Sequence, residues 1–337
     1  MRVAQVMAGA ALGGAELFFE RLCRALAAAG ETVLPVIRRN PGRAERLRAG
    51  GSAPVELAFG GRFDLLTRPR LRAALTAFAP RVVVSWMNRA NQHVPRGDWV
   101  RVGRLGGYYD LRHYRGCDHL VGNTHGIVAW LREQGWPAAR THYLPNFVED
   151  FSATPPAADL PRGKKLLLGL GRLHTDKGFD TLIQALPALP GAMLALAGEG
   201  PERGRLQSLA ARAGVADRVV LLGWRGDAGA LLRAADLFVC ASRIEPLGNM
   251  VLEAWSAGCP LVAAAAAGPR ELVRDGIDGA LVPIEDSAAL AVAIASLLAD
   301  PARAAALAQA GRARFAAEFS AAPVVARWQR FLAEIAA

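Results

Sequence analysis

Short apolar runs alternate with longer amphipathic ones along most of the chain. Residues 2–9 (RVAQVMAG) form a strand-like run. Residues 16–30 then place apolar side chains at 17, 18, 22 and 26 and close on Gly30, the spacing and stop signal of an amphipathic helix. Strand-type runs recur at 31–37, 81–86 and 118–124, a helix is predicted over 127–136, and 142–150 (HYLPNFVED) reads as a loop. The segment 151–163, with Pro155, Pro156 and Pro161 and few large apolar residues, interrupts the pattern as a linker would. The alternation restarts with strands predicted at 165–173, 192–200, 218–224, 236–242 and 260–264 and helices between them. From about 287 onward the chain reads as helical.

Such alternation predicts parallel sheets with helices on both faces, and its restart predicts two Rossmann-like α/β domains facing a cleft. The expected division is 1–158, 159–318 and a last helix, 319–337, that packs back on the first domain. A length of 337 residues agrees, since it exceeds what one hydrophobic core usually serves. Hydrophobic residues are 52% of the chain and aromatics only 7%, a surplus of Ala, Leu and Val that suits packed helices and parallel strands rather than disorder.

Charge changes the picture in one respect. The net charge is +10, and residues 1–160 hold 21 Arg against 13 Asp and Glu, a net of +8, leaving +2 for the remainder. A basic first half suits nucleic acid, an anionic membrane or a phosphorylated substrate, and equally a solvated basic surface. Nucleic acid is the weakest partner, because no RNP, finger or helix-turn-helix signature accompanies the charge. The cysteines at 23, 117, 240 and 259 show no metal-ligand spacing, and those at 23, 240 and 259 read as reduced core residues of a cytoplasmic protein. No stretch reaches the roughly 18–20 apolar residues of a membrane span. The N-terminus runs into a helical pattern and reads as strand, loop and helix rather than a signal peptide.

Three segments can carry chemistry. The first, GLGRLHTDKG at 169–178, follows a strand and presents Arg172 and Lys177 from one glycine-rich loop, a planar fork and a flexible point charge such as a phosphate reader needs. Lysine occurs only at 164, 165 and 177, which makes Lys177 more informative. The second, EPLGNMVLE at 245–253, lies between a strand and a helix beginning near Gly248, whose first-turn amides and positive end would face a diphosphate. Glu253 falls one turn after Asn249 and could accept hydrogen bonds from a ribose diol. Spacing alone fits equally well a capping Glu245 and a solvated Glu253. The third, AAGPRELVRDGIDGALVP at 266–283, sets two glycine-rich turns around a short helix, and by itself reads as a crossover before it reads as a site. In the first half, WMNRANQH (86–93) ends a strand with Asn88, Arg89 and Asn91, side chains that suit sugar hydroxyls and phosphates or simply a polar loop.

Together these segments resemble the donor half of retaining GT-B glycosyltransferases of family 4, the Glu-x7-Glu group. The likeness covers most of 165–320 and extends more loosely to GGAE (13–16), NTH (123–125) and LPNFVED (144–150). The segments GRLGGYYD and GNT look like those of lipopolysaccharide-core and other cell-envelope members. The resemblance implies metal-independent transfer of a sugar from a UDP- or GDP-linked donor to a glycan or glycolipid acceptor, with retention at the anomeric carbon. With the +8 charge of residues 1–160, it points to an anionic acceptor and a peripheral place on the cytoplasmic face of the inner membrane. By position it puts Arg172, Lys177, Gly14 and the amides of Gly248, Asn249 and Met250 on the diphosphate. Glu245 falls on the sugar as the catalytic residue, Glu253 on the ribose, and Leu222, Gly223 and Trp224 beside the base. Gly13, Asn88, Arg89, Tyr108 and His125 are the acceptor candidates. The chain departs from the family where many members carry a His-Gly pair near the donor sugar, since Gly106–Gly107 stand there. A soluble acceptor such as a storage glucan or small glycoside, or a non-catalytic sugar-nucleotide-binding partner, is the competing reading.

Overall fold

A computed structural model of the chain describes residues 1–10, 13–60, 64–161 and 163–336. The chain divides into two compact units, Met1–Phe147 with Ala321–Ala337, and Val148–Ser320. The first break thus falls at Phe147, so that the proline-rich 151–163 lies inside the second unit.

The first unit holds β1 (Arg2–Met7), β2 (Thr32–Arg38), β3 (Val55–Leu57), β4 (Val82–Trp86), β5 (Val100–Leu105), β6 (His119–Gly122) and β7 (Thr141–Tyr143). They form one sheet in the order β3-β2-β1-β4-β5-β6-β7, and every pairing is parallel. Both faces of this sheet are covered, which is why its strands read as apolar runs rather than alternating ones. Val3 and Met7 pack on one face with Phe18, Leu22 and Trp328, while Ala4 and Val6 pack on the other with Leu71 and Leu75. Trp328 belongs to the last helix, Ala321–Ala336, whose buried stripe of Val324, Val325, Trp328, Phe331 and Leu332 joins this core. Gln5, buried in β1, accepts a 2.7 Å hydrogen bond from the indole N–H of Trp86.

The second unit holds β8 (Lys165–Leu170), β9 (Ala192–Ala197), β10 (Val219–Gly223), β11 (Leu237–Cys240), β12 (Leu261–Ala264) and β13 (Ala280–Val282), ordered β10-β9-β8-β11-β12-β13 and again all parallel. Successive residues of β8 divide between two cores. Leu167 packs with Leu182, Leu194 and Ile294, whereas Leu166, Leu168 and Leu170 pack with Trp255, Phe238 and Phe315. The order reverses between β8 and β11, so the connections leaving those two strands diverge and open a crevice at their carboxyl ends.

Some local expectations change. Residues 87–93, read as a polar loop, form the helix Met87–His93. The GGAE segment is a helix start: Gly14 opens Gly14–Ala28, and buried Glu16 accepts a 2.8 Å hydrogen bond from the amide of Ala10. No single helix among the described residues is long and apolar enough to cross a membrane.

Candidate functional site

The carboxyl ends of β8 and β11 bring the first two sequence segments together within the second unit. After β8 the chain makes the turn Thr175–Lys177, and after β11 it runs through Glu245 into the helix Asn249–Ala257. Lys177 and Glu245, 68 positions apart, meet in an ion pair at 2.5 Å. Its side chains are only 22% and 12% exposed, so the attraction is less screened than at an open surface. The other oxygen of Glu245 accepts the amide of Gly248 at 3.3 Å, which ties the glutamate to the start of its own helix. Helix geometry leaves the amide of Met250, in the first turn, without an acceptor inside the helix. Gly248 is buried, while Asn249, Met250 and Glu253 are half-buried.

Close backbone packing holds these loops in register. Gly178 adopts φ +62, and a Cβ there would lie 2.0 Å from the carbonyl oxygen of Ala241, so the Lys177 loop can sit against β11 only with glycine at that position. Gly268, from the third segment, donates its amide to the carbonyl of Glu245 at 2.7 Å, and a Cβ there would lie 2.4 Å from the carbonyl carbon of Leu247. The third segment is therefore a buttress for the glutamate loop. Its Asp278, 1% exposed, is likewise internal, accepting the amide of Arg274 at 2.7 Å and the guanidinium of Arg274 at 2.6 Å.

Arg243 and Asp180 complete the frame, and neither was singled out from the sequence. Arg243 donates to both oxygens of Asp180 at 2.8 and 3.1 Å, to the carbonyl of Thr175 at 2.7 Å and to Glu285 at 2.5 Å. Its backbone amide adds a 2.8 Å bond to the carbonyl of Asp176. One arginine thus binds the turn that carries Lys177 to the loop that carries Glu245. Burial works against an ionised Asp180, but the hydrogen bonds and charge of Arg243, with help from Thr181 and Arg205, hold its carboxyl below the usual range. The available signal was positional, since Arg243 stands two residues before Glu245 and Asp180 three after Lys177.

Other predicted residues lie along the same rim. Arg172 is exposed, and among the described residues nothing pairs with its guanidinium. The carbonyl of Gly223 accepts the amide of Gly198 at 2.7 Å, so Leu222, Gly223 and Trp224 stand at the carboxyl end of edge strand β10 next to the turn after β9. Trp224 is 72% exposed, a large flat apolar surface open to a ligand.

The remaining candidates are in the first unit, also beyond the carboxyl ends of its strands. Gly13 and Gly14 follow β1, Asn88 and Arg89 follow β4, Tyr108 follows β5, and His125 opens the helix after β6. Arg89 is exposed and Asn88 half-buried, with its side-chain oxygen enclosed and unbonded. Tyr108 packs edge-on against Trp130 at 5.3 Å, and the His125 ring stacks on Tyr143 at 3.7 Å. Asn91 is structural, since it donates to the carbonyl of His113 at 2.5 Å and accepts from Ser85 at 2.7 Å. Beside Gly106, Arg104 is a buried cation lying 4.2 Å over Trp86 and bonded to Asn146, and burial lowers its pKa to about 9. Among the described residues no group of three or more His, Cys, Asp or Glu gathers as a metal site would.

Two all-parallel Rossmann-like units place this chain in the GT-B class of glycosyltransferase. The solved structure of Anabaena Alr3699/HepE in complex with UDP and glucose superposes with a TM-score of 0.83 at 21% identity, covering 98% of this chain and 99% of that one. That of WaaG, a glycosyltransferase involved in lipopolysaccharide biosynthesis, gives 0.73 at 18% identity, covering 98% and 99%. The family described as Glycosyltransferase Family 4 matches residues 12–150, and Glycosyl transferases group 1 matches 150–314. Two proteins of Rhizobium meliloti (strain 1021) are similar over most of their length. The lipopolysaccharide core biosynthesis glycosyltransferase LpsE is 34% identical over 95% of this chain and 96% of its own, and LpsD is 37% identical over 86% of each. The chain belongs to this glycosyltransferase family and is an enzyme of sugar transfer.

Proposed function

We propose that the protein moves a sugar from a UDP- or GDP-sugar to a glycan or glycolipid acceptor of the lipopolysaccharide core, with retention at the anomeric carbon and without a metal. The observation that carries the donor half is the Lys177–Glu245 pair beside the helix start at Gly248, at the reversal point of a parallel sheet. The similarity to LpsE and LpsD supports the acceptor class.

In this reading the bond from the anomeric carbon to the nucleotide diphosphate breaks and a bond to an acceptor hydroxyl forms on the same face. The departing phosphate takes the hydroxyl proton. Lys177, Arg172 and the amides of Gly248, Asn249 and Met250 offset the charge that develops on the diphosphate, the task a divalent ion performs elsewhere. Lysine has three donors, so Lys177 can keep its bond to Glu245 and reach a phosphate oxygen as well. Glu245 contacts the sugar, Glu253 the ribose diol, and Trp224 with Leu222 and Gly223 the base. The +8 net charge of residues 1–160 supports an anionic acceptor on the cytoplasmic face of the inner membrane.

The test is nucleotide diphosphate release from a panel of nucleotide sugars, with truncated lipopolysaccharide core as acceptor, in the presence and absence of a chelator. The reading expects release with one donor, insensitivity to the chelator and an anomeric configuration in the product that matches the donor. Tight nucleotide binding without release on any donor, with core or with a cell-envelope extract, would overturn it. The nucleotide diphosphate that raises the melting temperature most identifies the base.

A further inference from the structure

The first unit contains a basic cavity. It has a volume of about 740 Å³ and is walled by the start of the helix Thr67–Phe78, by Asn91 and Gln92 of Met87–His93 with the residues after that helix, by the beginning of β5, and by His113 and Gly116 before β6. Four guanidinium groups line it, those of Arg68, Arg72, Arg96 and Arg101. Among the described residues none of the four forms an ion pair. Arg72 donates to the carbonyl of Arg96 at 3.2 Å, and the Nε of Arg101 is enclosed without a partner. Gly116 leaves the room for that guanidinium, since a Cβ there would lie 2.6 Å from an Arg101 nitrogen.

Among the described residues the cavity has one carboxylate, Asp64, and it is already occupied. It accepts the amide of Gly60 at 2.6 Å, the amide of Thr67 at 2.9 Å and the hydroxyl of Thr67 at 2.5 Å. Those bonds, that of the Thr67 hydroxyl foremost, hold its pKa down to about 2, so it stays charged but turns its oxygens to its own loop. Asp118, bonded to a lining residue, takes the backbone amide of Arg101 at 2.8 Å. Among the described residues the lining therefore carries a net of +3 (4 − 1), and no carboxylate among them pairs with the guanidinium groups. Several guanidinium forks around one cavity, whose lining carboxylate Asp64 is bonded within its own loop, match the oxygens of a phosphate better than a single carboxylate. Val94, Pro69 and Pro95 give the wall an apolar side, and Leu65, 81% exposed, stands at its edge.

We propose that this cavity binds a phosphate-bearing group, held by Arg68, Arg72, Arg96 and Arg101. The proposal is independent of the donor site and stands or falls without it. The chemistry is the same for a soluble phosphate monoester and for a lipid headgroup, so the experiment uses both. The full chain is titrated with glycerol 3-phosphate by calorimetry and floated with phosphatidylglycerol/phosphatidylcholine vesicles. The same measurements are made on R68Q, on R68Q/R101Q and on R212Q, which removes an exposed arginine of the second unit. Binding of glycerol 3-phosphate that weakens at least about tenfold in R68Q/R101Q, and less than about twofold in R212Q, supports a site for the phosphate itself. Vesicle binding alone, lost in the same variant, supports a phosphate presented on lipid. R68Q changes an exposed side chain and keeps the test valid if the double variant unfolds. Absence of binding to both probes, or equal weakening in R212Q, overturns the proposal. Nucleotide binding in R68Q/R101Q should be unchanged, which separates this result from the donor reading.

Discussion

Replacing Arg243 by glutamine removes the brace between the Lys177 turn and the Glu245 loop without touching either residue. The variant loses two bonds to Asp180, one to the carbonyl of Thr175 and one to Glu285. Breaking a buried ion pair from one side typically costs 3–5 kcal/mol, because the remaining charge is left uncompensated. Here the Arg243 side chain is 23% exposed and Asp180 keeps Arg205 at 3.1 Å, so screening and the second partner reduce the cost. About 2–3 kcal/mol is the expected loss. The second unit spans 173 residues (320 − 148 + 1), for which that corresponds to roughly 5–10 °C in melting temperature. The pH dependence has a definite sign. The Asp180 carboxyl is depressed in the folded protein, so its contribution is complete above its unfolded value near 3.8 and is lost as pH falls through the lower folded value. The stability gap between wild type and variant should therefore hold at neutral pH and narrow only in strong acid. Calorimetric melting with and without nucleotide diphosphate measures both effects, and nucleotide affinity should fall because the Lys177 turn loses its anchor. A variant that melts within about 1 °C of wild type and binds nucleotide equally well would show that the brace does not organise the site.

Substitution of Gly178 by alanine forces a left-handed, non-glycine residue against the Ala241 carbonyl, and should cost at least about 2 kcal/mol and weaken nucleotide binding, read by melting and titration. Glu245→Gln removes the charge that holds Lys177. If Glu245 orients the lysine, nucleotide diphosphate affinity itself changes several-fold, whereas a carboxylate that serves only the sugar leaves that affinity as it was while turnover falls. His142 meets His119 at 3.0 Å, and burial first, then the charges of His119 and Arg132, lowers its pKa from 6.5 to about 4. The folded protein therefore resists a proton that the unfolded chain accepts. Stability is complete above about pH 6.5 and declines toward pH 4 by about 2 kcal/mol, discounted for partial exposure, and His142→Gln should flatten that slope in acid melting curves. All four cysteines are buried, and burial raises each thiol, Cys117 and Cys259 to about 12, so a thiol reagent should titrate almost none in the native protein and four after denaturation.

Periodicity could reveal the strands because every sheet face is covered, which turns β1, β4, β8 and β11 into largely apolar runs, broken by Gln5 and Ser85. Short edge strands such as Val55–Leu57 and Thr141–Tyr143 have three residues each, too few for any pattern to register. The three chemical segments were visible as glycine-rich turns after strands, but strand order is not written in local composition. Lys177 and Glu245 meet because β11 pairs with β8, although β9 and β10 separate them in the chain. That pairing also decides what the third segment does. Gly268 follows β12, the neighbour of β11 on the other side, and so reaches the Glu245 carbonyl from behind. Residue types suggested a ligand contact for the first two segments and left the third as a crossover or a site, whereas geometry divides them into one pair that faces the crevice and one buttress that supports it. Arg243 escaped notice for a related reason. Its partner Asp180 is 63 positions away and lies beyond the Lys177 turn, and an arginine in an arginine-rich chain is not distinctive until its carboxylate is found. The same compositional bias hid the cavity at Arg68 and Arg101, where what matters is not the arginines themselves but that its carboxylate, Asp64, is bonded to Gly60 and Thr67 rather than to them.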